Sequence, residues 1–119
     1  LVSVFGCGGN RSRDRRFEMG ETSGRLADLT IITSDNPRYE DPQAIIDDIK
    51  TGISRTDGRY VEIIDRKEAI AYAIHNGEPG DIIILAGKGH ETYQEIKGVK
   101  YPMDERVLIQ EILEEDRRL

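Results

Sequence analysis

Short apolar, β-branched segments alternate along this chain with segments of helical pattern, and only a few residues separate each from the next. Residues 2–5, 29–33, 60–64 and 81–85 have the composition of strands, and the last of these is the most apolar. Strands that alternate with amphipathic helices form a mainly parallel sheet covered by helices. The pattern therefore predicts an α/β fold, a three-layer Rossmann-like domain with a mainly parallel sheet flanked by helices.

The two clearest helices also have clear starting signals. Asp41 precedes Pro42, a capping acid followed by proline at the first helical position, and Asp65 stands three residues before Glu68. Apolar residues then recur at helical spacing, and they predict the buried faces of the two helices: Ile45, Ile46, Ile49 and Ile53 in the first, and Ala69, Ile70, Ala73 and Ile74 in the second.

Other segments have weaker patterns. The basic segment 11–16 lacks apolar periodicity and is predicted to be a loop, and 19–27 is predicted to be a weak helix because Gly20 and Gly24 lower its propensity. Residues 93–96 are predicted to form a strand. A last helix is expected from Asp104, followed by a solvated charged end, with these residues facing inward: Val107, Leu108, Ile112 and Leu113.

Length and composition limit the class of protein. The 119 residues are enough for one domain with a real core, and apolar residues (37%) and charged residues (34%) are in globular proportion. A net charge of −6 disfavours nucleic-acid binding, which needs a basic surface. No apolar run is long enough for a membrane span, and no signal peptide is visible. The single cysteine, Cys7, is expected to be a core residue in a reducing cytoplasm.

The first predicted strand leads into a glycine-rich turn with the sequence GCGGNR at residues 6–11. A dinucleotide-binding fingerprint is disfavoured, because Arg11 occupies the position of the third glycine. Two interpretations stay open. The turn could need glycine torsions, or its backbone amides could meet an anion with the help of nearby basic side chains: Arg11, Arg13, Arg15 and Arg16.

The sequence AGKGHE at residues 86–91 follows the most apolar strand. It is not a phosphate-binding loop, because Gly80 lies too far upstream and Gly89 stands where Ser or Thr would hold magnesium. We expect His90 to be a structural, hydrogen-bonded histidine. Glu91, just past a strand, could hold a ligand amine or be an ordinary surface acid.

A polar loop, Asp35-Asn36-Pro37-Arg38, follows another buried strand. Pro37 stiffens the loop and Asn36 offers both a donor and an acceptor. Arg38 has a planar guanidinium that matches a carboxylate. Arg38 could bind the carboxylate of a zwitterionic amino acid head, and Glu91 could bind its ammonium group. The alternative is a plain turn. Because the carboxyl ends of parallel strands share one edge, we expect the three loops to converge.

Three segments together resemble the C-terminal domain of the Mur ligases, and the resemblance covers nearly the whole chain in order. They are GCGGNR at 6–11, TSDNPR at 33–38 and LAGKGHETYQ at 85–94. The loop at 35–38 is similar to the signature of the diaminopimelate-adding members, whereas lysine-adding members usually lack the arginine.

The resemblance implies that residues 1–119 are the domain that binds the amino acid and closes over ATP in a cytoplasmic, ATP-dependent carboxylate–amine ligase of peptidoglycan synthesis. ATP and Mg²⁺ would act with a UDP-binding N-terminal domain and a central ATPase domain, neither of which this chain contains. The implied meso-diaminopimelate-binding residues are Arg11, Asp35, Asn36, Pro37, Arg38, Gly87 and Glu91. No catalytic residue or metal ligand is implied in this chain, and no tightly bound cofactor.

The chain also departs from the family pattern. Ser12 and Phe17 replace an acid and a proline that many members carry, and the strand–helix unit that normally opens the domain is missing. Since no initiator methionine is present, we expect a piece of a longer polypeptide, inactive alone. Two alternatives are a free-standing module for a small zwitterion and a nucleotide-binding module.

Overall fold

The computed structural model describes residues 1–9, 13–77, 80–86, 93–97, 99–102 and 105–117. Within these ranges the chain runs through ten helices and strands: β1 (Val2–Phe5), α1 (Arg13–Leu26), β2 (Leu29–Ile32), α2 (Pro42–Ile53), β3 (Tyr60–Glu62), α3 (Arg66–Asn76), β4 (Ile83–Ala86), β5 (Tyr93–Ile96), β6 (Val99–Pro102) and α4 (Glu105–Arg117).

Four of the strands form a parallel sheet in the order β3-β2-β1-β4. The strand β1 lies inside it, and Val4 pairs with Ile31 of β2 on one side and Leu85 of β4 on the other. The strands β5 and β6 form a separate antiparallel hairpin. Because the four strands are parallel, the loops that follow β1, β2 and β4 all leave from the same edge of the sheet.

Helices cover both faces of this sheet, so the predicted three-layer α/β fold is confirmed. The helices α1 and α2 pack on one face, over a core of Phe5, Cys7, Ile32, Ile45, Ile46, Ile49 and Ile53. The helix α3 covers the other face, over Val2, Val4, Ile31, Ala69 and Ala73, and α4 packs beside α3. Alternating side chains of β1 and β2 supply both cores, as expected for a sheet buried on two faces.

The predicted helix starts are confirmed. The Asp41 carboxylate accepts a hydrogen bond from the backbone amide of Gln43 at 3.0 Å, and the Asp65 carboxylate accepts one from Glu68 at 2.9 Å. Each acid satisfies an amide that has no partner inside its own helix. These caps fix where α2 and α3 begin, directly beside the loops at the sheet edge.

The prediction of a loop over residues 11–16 is wrong from Arg13 onward, where α1 begins. This helix lacks an apolar stripe, and its buried residues are Arg16, Gly20 and Gly24. A β-carbon on Gly20 would collide with the carbonyl oxygen of Ile49 in α2, so the glycine permits close contact between the two helices. Helix packing outweighs the low intrinsic propensity of this segment.

Two predictions of burial are also wrong. In α4, Val107 is 51% exposed and Leu113 is 43% exposed, whereas Ile112 is buried. The strand β4, predicted to be buried, is terminal in the described sheet, and Ile84 is 46% exposed. Among the described residues, no helix has both the length and the apolar character needed to cross a membrane.

Candidate functional site

The loop that follows β1 lies directly against the loop that follows β2. The backbone amide of Gly9 donates a hydrogen bond to the carbonyl oxygen of Asn36 at 2.7 Å. A β-carbon on Gly9 would collide with the carbonyl oxygen of Pro37, and one on Gly6 with that of Thr33. Among the described glycines only Gly80 has a positive φ. The glycines at 6 and 9 are therefore required for close backbone approach and not for unusual torsions.

The second loop holds Arg38 in an uncommon backbone conformation. Its φ is 54°, in the left-handed region that costs a side-chain-bearing residue roughly 1–2 kcal/mol. Its Nη1 donates to the carbonyl oxygens of Gly9 at 3.0 Å and Asn36 at 3.4 Å. Strain of this kind persists where the surrounding structure holds it, and it is concentrated at functional sites. The guanidinium is half-buried, Pro37 is buried and Asn36 is 3% exposed.

The β5–β6 hairpin packs over the same loop. The side-chain amide of Gln94 donates to the hydroxyl oxygen of Ser34 at 2.9 Å and to the carbonyl oxygen of Asp35 at 2.8 Å. The backbone amide of Lys97 donates to the carbonyl oxygen of Arg38. Sequence reasoning did not assign a role to Gln94, although this residue ends the motif at 85–94. Gln94 thus holds the loop 35–38 at its first residue, and Lys97 holds it at its last.

A buried arginine connects the ends of two strands. Arg66, at the start of α3, donates to the carbonyl oxygen of Ser34 at 2.9 Å and to that of Ala86 at 3.2 Å. It also pairs with Glu105 of α4 at 3.2 Å. Sequence reasoning missed Arg66 as well. One signal was available, because a helix N-terminus disfavours positive charge and an arginine there needs a compensating interaction.

A second buried arginine, Arg16, joins α1 to α2. It donates to Asp48 at 2.9 Å, to Glu40 at 2.8 Å and to the carbonyl oxygen of Gly8 at 3.3 Å. Arg13 adds two further bonds to Asp48, at 2.9 and 3.1 Å. These hydrogen bonds lower the pKa of the Asp48 carboxyl despite its burial, and those from Arg13 have the largest effect. Arg16 is therefore buried in internal contacts, whereas Arg13 pairs with Asp48 and its side chain stays exposed.

The thiol of Cys7 lies in the core beneath the first loop. It contacts the sulfur atom of Met19 at 3.6 Å. Burial raises the pKa of the Cys7 thiol to about 11, in spite of the opposing charge of Arg16. The cysteine is therefore a neutral core residue, as the sequence predicted. Among the described residues, no group of three or more His, Cys, Asp or Glu side chains is arranged to hold a metal ion.

Part of the predicted site falls within the described ranges. Asp35, Asn36, Pro37 and Arg38 form one loop, held by Gly9 on one side and by the hairpin on the other. Arg11, Gly87 and Glu91, as well as His90, lie outside the described residues. An open cleft of about 650 Å³ lies beside the loop, and its lining includes Ser34, Pro37, Gln43, Asp65, Arg66 and Gln94. The cleft provides concave space next to the loop.

The glycine-rich loop after β1 and the polar loop after β2 follow each other in an order that agrees with one family of enzymes. The sequence profile described as the Mur ligase, glutamate ligase domain, matches residues 1–89. The chain belongs to the Mur ligase family. This finding confirms the resemblance of the three motifs, and it assigns the parallel sheet to a Mur ligase domain.

Relatives of this Mur ligase domain agree on one branch of the family. The chain is 52% identical to the UDP-N-acetylmuramoyl-L-alanyl-D-glutamate–2,6-diaminopimelate ligase of Caldanaerobacter subterraneus subsp. tengcongensis, over 98% of its own length and 24% of the relative's. It is 52% identical to the enzyme of the same name from Aquifex aeolicus, over 95% of this chain and 23% of the relative.

A solved structure gives the same result for this Mur ligase domain. A structure of a UDP-N-acetylmuramoyl-L-alanyl-D-glutamate–2,6-diaminopimelate ligase superposes with a TM-score of 0.92 and 44% sequence identity. The match covers 98% of this chain and 24% of that chain. The Mur ligase domain described by these residues thus spans about a quarter of the length of the relatives that it matches.

Proposed function

We propose that this chain is the amino-acid-binding domain of an ATP-dependent ligase that joins meso-diaminopimelate to UDP-N-acetylmuramoyl-L-alanyl-D-glutamate. The observation that carries the proposal is the loop 35–38, which the first loop and the hairpin fix at the carboxyl edge of the sheet. The relatives that match nearly the whole of this chain are named as ligases of 2,6-diaminopimelate. Ligands of open parallel sheets bind at this edge.

The loop has the chemistry to bind the distal amino acid head of diaminopimelate. The Arg38 guanidinium, half-buried and held by the Gly9 carbonyl, would bind the distal carboxylate, together with Asn36. Glu91 and the carbonyl of Gly87 would take the distal ammonium. Arg11 would complete the binding site. In this proposal Asp35 and Pro37 shape the loop and do not themselves carry the charge recognition.

This arrangement explains selection against lysine. Lysine lacks the distal carboxylate, so its binding would not form the charge-assisted contact that we propose between that carboxylate and the Arg38 guanidinium. A hydrogen bond to a charged group contributes roughly 1.5–3 kcal/mol, and lysine would forgo this contribution. A site built to bind a polar group rejects the analogue that lacks it by several orders of magnitude. Arg38 is therefore the residue on which the choice of amino acid depends.

The bond-forming chemistry belongs, in this proposal, to other domains. The remaining three quarters of the relatives' length would supply a UDP-binding domain and an ATPase domain that binds ATP and Mg²⁺. In this proposal the present domain binds the amino acid and closes over ATP. We expect the enzyme to act in the cytoplasm, without nucleic-acid or membrane partners.

Substitution of Arg38 in the full-length enzyme tests the proposal. Arg38→Ala and Arg38→Lys should raise the KM for diaminopimelate about 10- to 100-fold, which corresponds to the loss of one charge-assisted hydrogen-bonded contact. The KM for ATP should stay unchanged. Arg25→Ala is the matched control, because Arg25 is exposed and forms an ion pair with Glu21 of the same helix, α1. Unchanged diaminopimelate kinetics in both Arg38 variants would overturn the proposal.

The isolated chain provides a second test, on the division of labour between domains. We expect no phosphate release when the purified chain is mixed with ATP, Mg²⁺ and diaminopimelate, because the phosphate-transfer machinery lies elsewhere. Measurable phosphate release would contradict this assignment. Tight binding of a mononucleotide by the isolated chain, measured by calorimetry, would instead favour a nucleotide-binding module.

A further inference from the structure

We propose that Arg66 is a positioning residue that fixes the ends of β2 and β4 relative to each other, and with them the two segments that contribute to the diaminopimelate site. This inference rests on the proposed function, in which one half follows β2 and the other follows β4. Arg66 belongs to neither half. It acts on both of them through the backbone carbonyl groups that lie one residue before each half begins.

The guanidinium of Arg66 spans the sheet edge. Its Nη1 bonds to the carbonyl oxygen of Ser34, just after β2, and its Nη2 bonds to that of Ala86, the last residue of β4. These two strands are not neighbours, because β1 lies between them. Ladder hydrogen bonds therefore do not join them directly. One rigid, planar group fixes their ends relative to each other.

The environment of Arg66 indicates that its contacts fix the positions of the two strand ends and do not mainly add stability. Arg66 is 1% exposed and its partner Glu105 is 6% exposed, so both charges are removed from water. Its Nε has no hydrogen-bond partner among the described residues. A buried ion pair of this kind is often no more stabilising than apolar residues of the same volume. Stability alone thus does not explain an arginine here, whereas two bonds to separate strand ends do.

Each carbonyl that Arg66 holds is adjacent in sequence to a residue of the proposed site. Ser34 precedes Asp35, whose own carbonyl is held from the opposite side by Gln94. Ala86 precedes Gly87. The carboxylate and the ammonium of one amino acid head have a fixed separation. The two loops must match that separation, and a displacement of about 1 Å is enough to reduce the efficiency of a site about 100-fold.

Arg66→Lys and Arg66→Met in the full-length enzyme test this role. Lysine keeps the charge, but a single ammonium group lacks the planar fork that reaches both carbonyl oxygens. We expect both variants to raise the KM for diaminopimelate about tenfold or more. The KM for ATP and for the muropeptide should stay within about twofold, and kcat at saturating diaminopimelate should stay close to the wild-type value.

Two reference variants separate the possible outcomes. Ile53→Val removes a methyl group from the core at the far end of α2, so it reports the effect of lower stability alone. Arg38→Ala reports the proposed function. If Arg38→Ala weakens diaminopimelate use while Arg66→Lys does not, the positioning role is overturned and the function stands. If neither Arg38→Ala nor Arg66→Lys has an effect, the proposed function itself fails.

The pattern of KM values distinguishes positioning from a purely structural role. If Arg66 has a purely structural role, Arg66→Lys should change all three KM values together. Its melting temperature should then also fall, as that of Ile53→Val does. This result would overturn the proposal. If Arg66→Met does not fold, Arg66→Lys decides alone, because it keeps the ion pair with Glu105. A selective change in the KM for diaminopimelate supports the role.

Discussion

The backbone amide of Gly9 donates a hydrogen bond of 2.7 Å to the carbonyl oxygen of Asn36. This bond joins two loops that are 27 residues apart in the sequence and that follow adjacent strands, β1 and β2. The contact is so close that only a glycine fits at position 9, because any β-carbon would meet the carbonyl oxygen of Pro37. The geometry of the proposed binding loop therefore depends on a residue outside it.

Gly9→Ala should lower the free energy of unfolding by about 1–3 kcal/mol and weaken diaminopimelate binding, since the two loops must move apart to admit the methyl group. Urea unfolding and the KM of the full-length enzyme measure the two effects. Gly77→Ala is the control. Its φ is −71°, and its β-carbon would lie 3.1 Å from the carbonyl oxygen of Ala73, a much milder contact. Equal behaviour of the two variants would contradict the steric argument.

Gly52→Ala should destabilise the protein, although alanine is the better helix former by about 1 kcal/mol. Gly52 lies within α2, and a β-carbon there would collide with the carbonyl oxygen of Phe17 in α1. We expect a net loss of about 1–3 kcal/mol in the free energy of unfolding, measured with urea. Thr51→Ala, one residue earlier and exposed, should be neutral or slightly stabilising. A stabilised Gly52→Ala variant would show that the helices separate freely.

Asp48 should make the stability of the protein depend on pH. Hydrogen bonds from Arg13 and Arg16 lower the pKa of its carboxyl in the folded state. Because the folded pKa is the lower one, the stabilisation is complete above the unfolded value of about 3.9, and it is lost as the pH falls through the folded pKa. The wild-type protein should therefore lose this contribution only in acid.

Asp48→Asn tests this dependence. The variant should lose stability at pH 7, near the lower end of the roughly 3–5 kcal/mol typical of a broken buried pair, because Arg16 keeps Glu40. The difference from the wild type should shrink as the pH falls toward 3. Asp47→Asn, exposed on the same helix, is the control. A difference that stays constant from pH 7 to pH 3 would be inconsistent with the ionised carboxylate as its source.

Cys7 should resist alkylation in the native protein. Burial raises its pKa to about 11, so at pH 8 only about one thiol in a thousand is ionised, and the thiolate is the reactive form. We expect iodoacetamide to react at least about 100-fold more slowly with the native protein than with the protein unfolded in guanidinium chloride. Mass spectrometry of timed samples gives both rates. Similar rates in the two states would mean that Cys7 is accessible.

Much of the fold could be predicted from the sequence, because its signals are local. The strands 2–5 and 93–96, the caps at Asp41 and Asp65 and the buried face of α2 follow from apolar spacing and capping chemistry. The helix α1 could not be predicted fully. Its buried face consists of two glycines and an arginine, and these residues are buried only because α2 and Asp48 lie opposite them.

The site divides in the same way. By itself, the sequence determined the α/β class, the family resemblance and the candidate loop at residues 35–38, because motifs and periodicity are properties of neighbouring residues. Only the tertiary structure decided that Gly9, Gln94 and Arg66 hold this loop. Their partners lie 27, 59 and 32 residues away. Such contacts exist only after parallel strands bring distant carbonyl groups to a single sheet edge, so no local pattern encodes them.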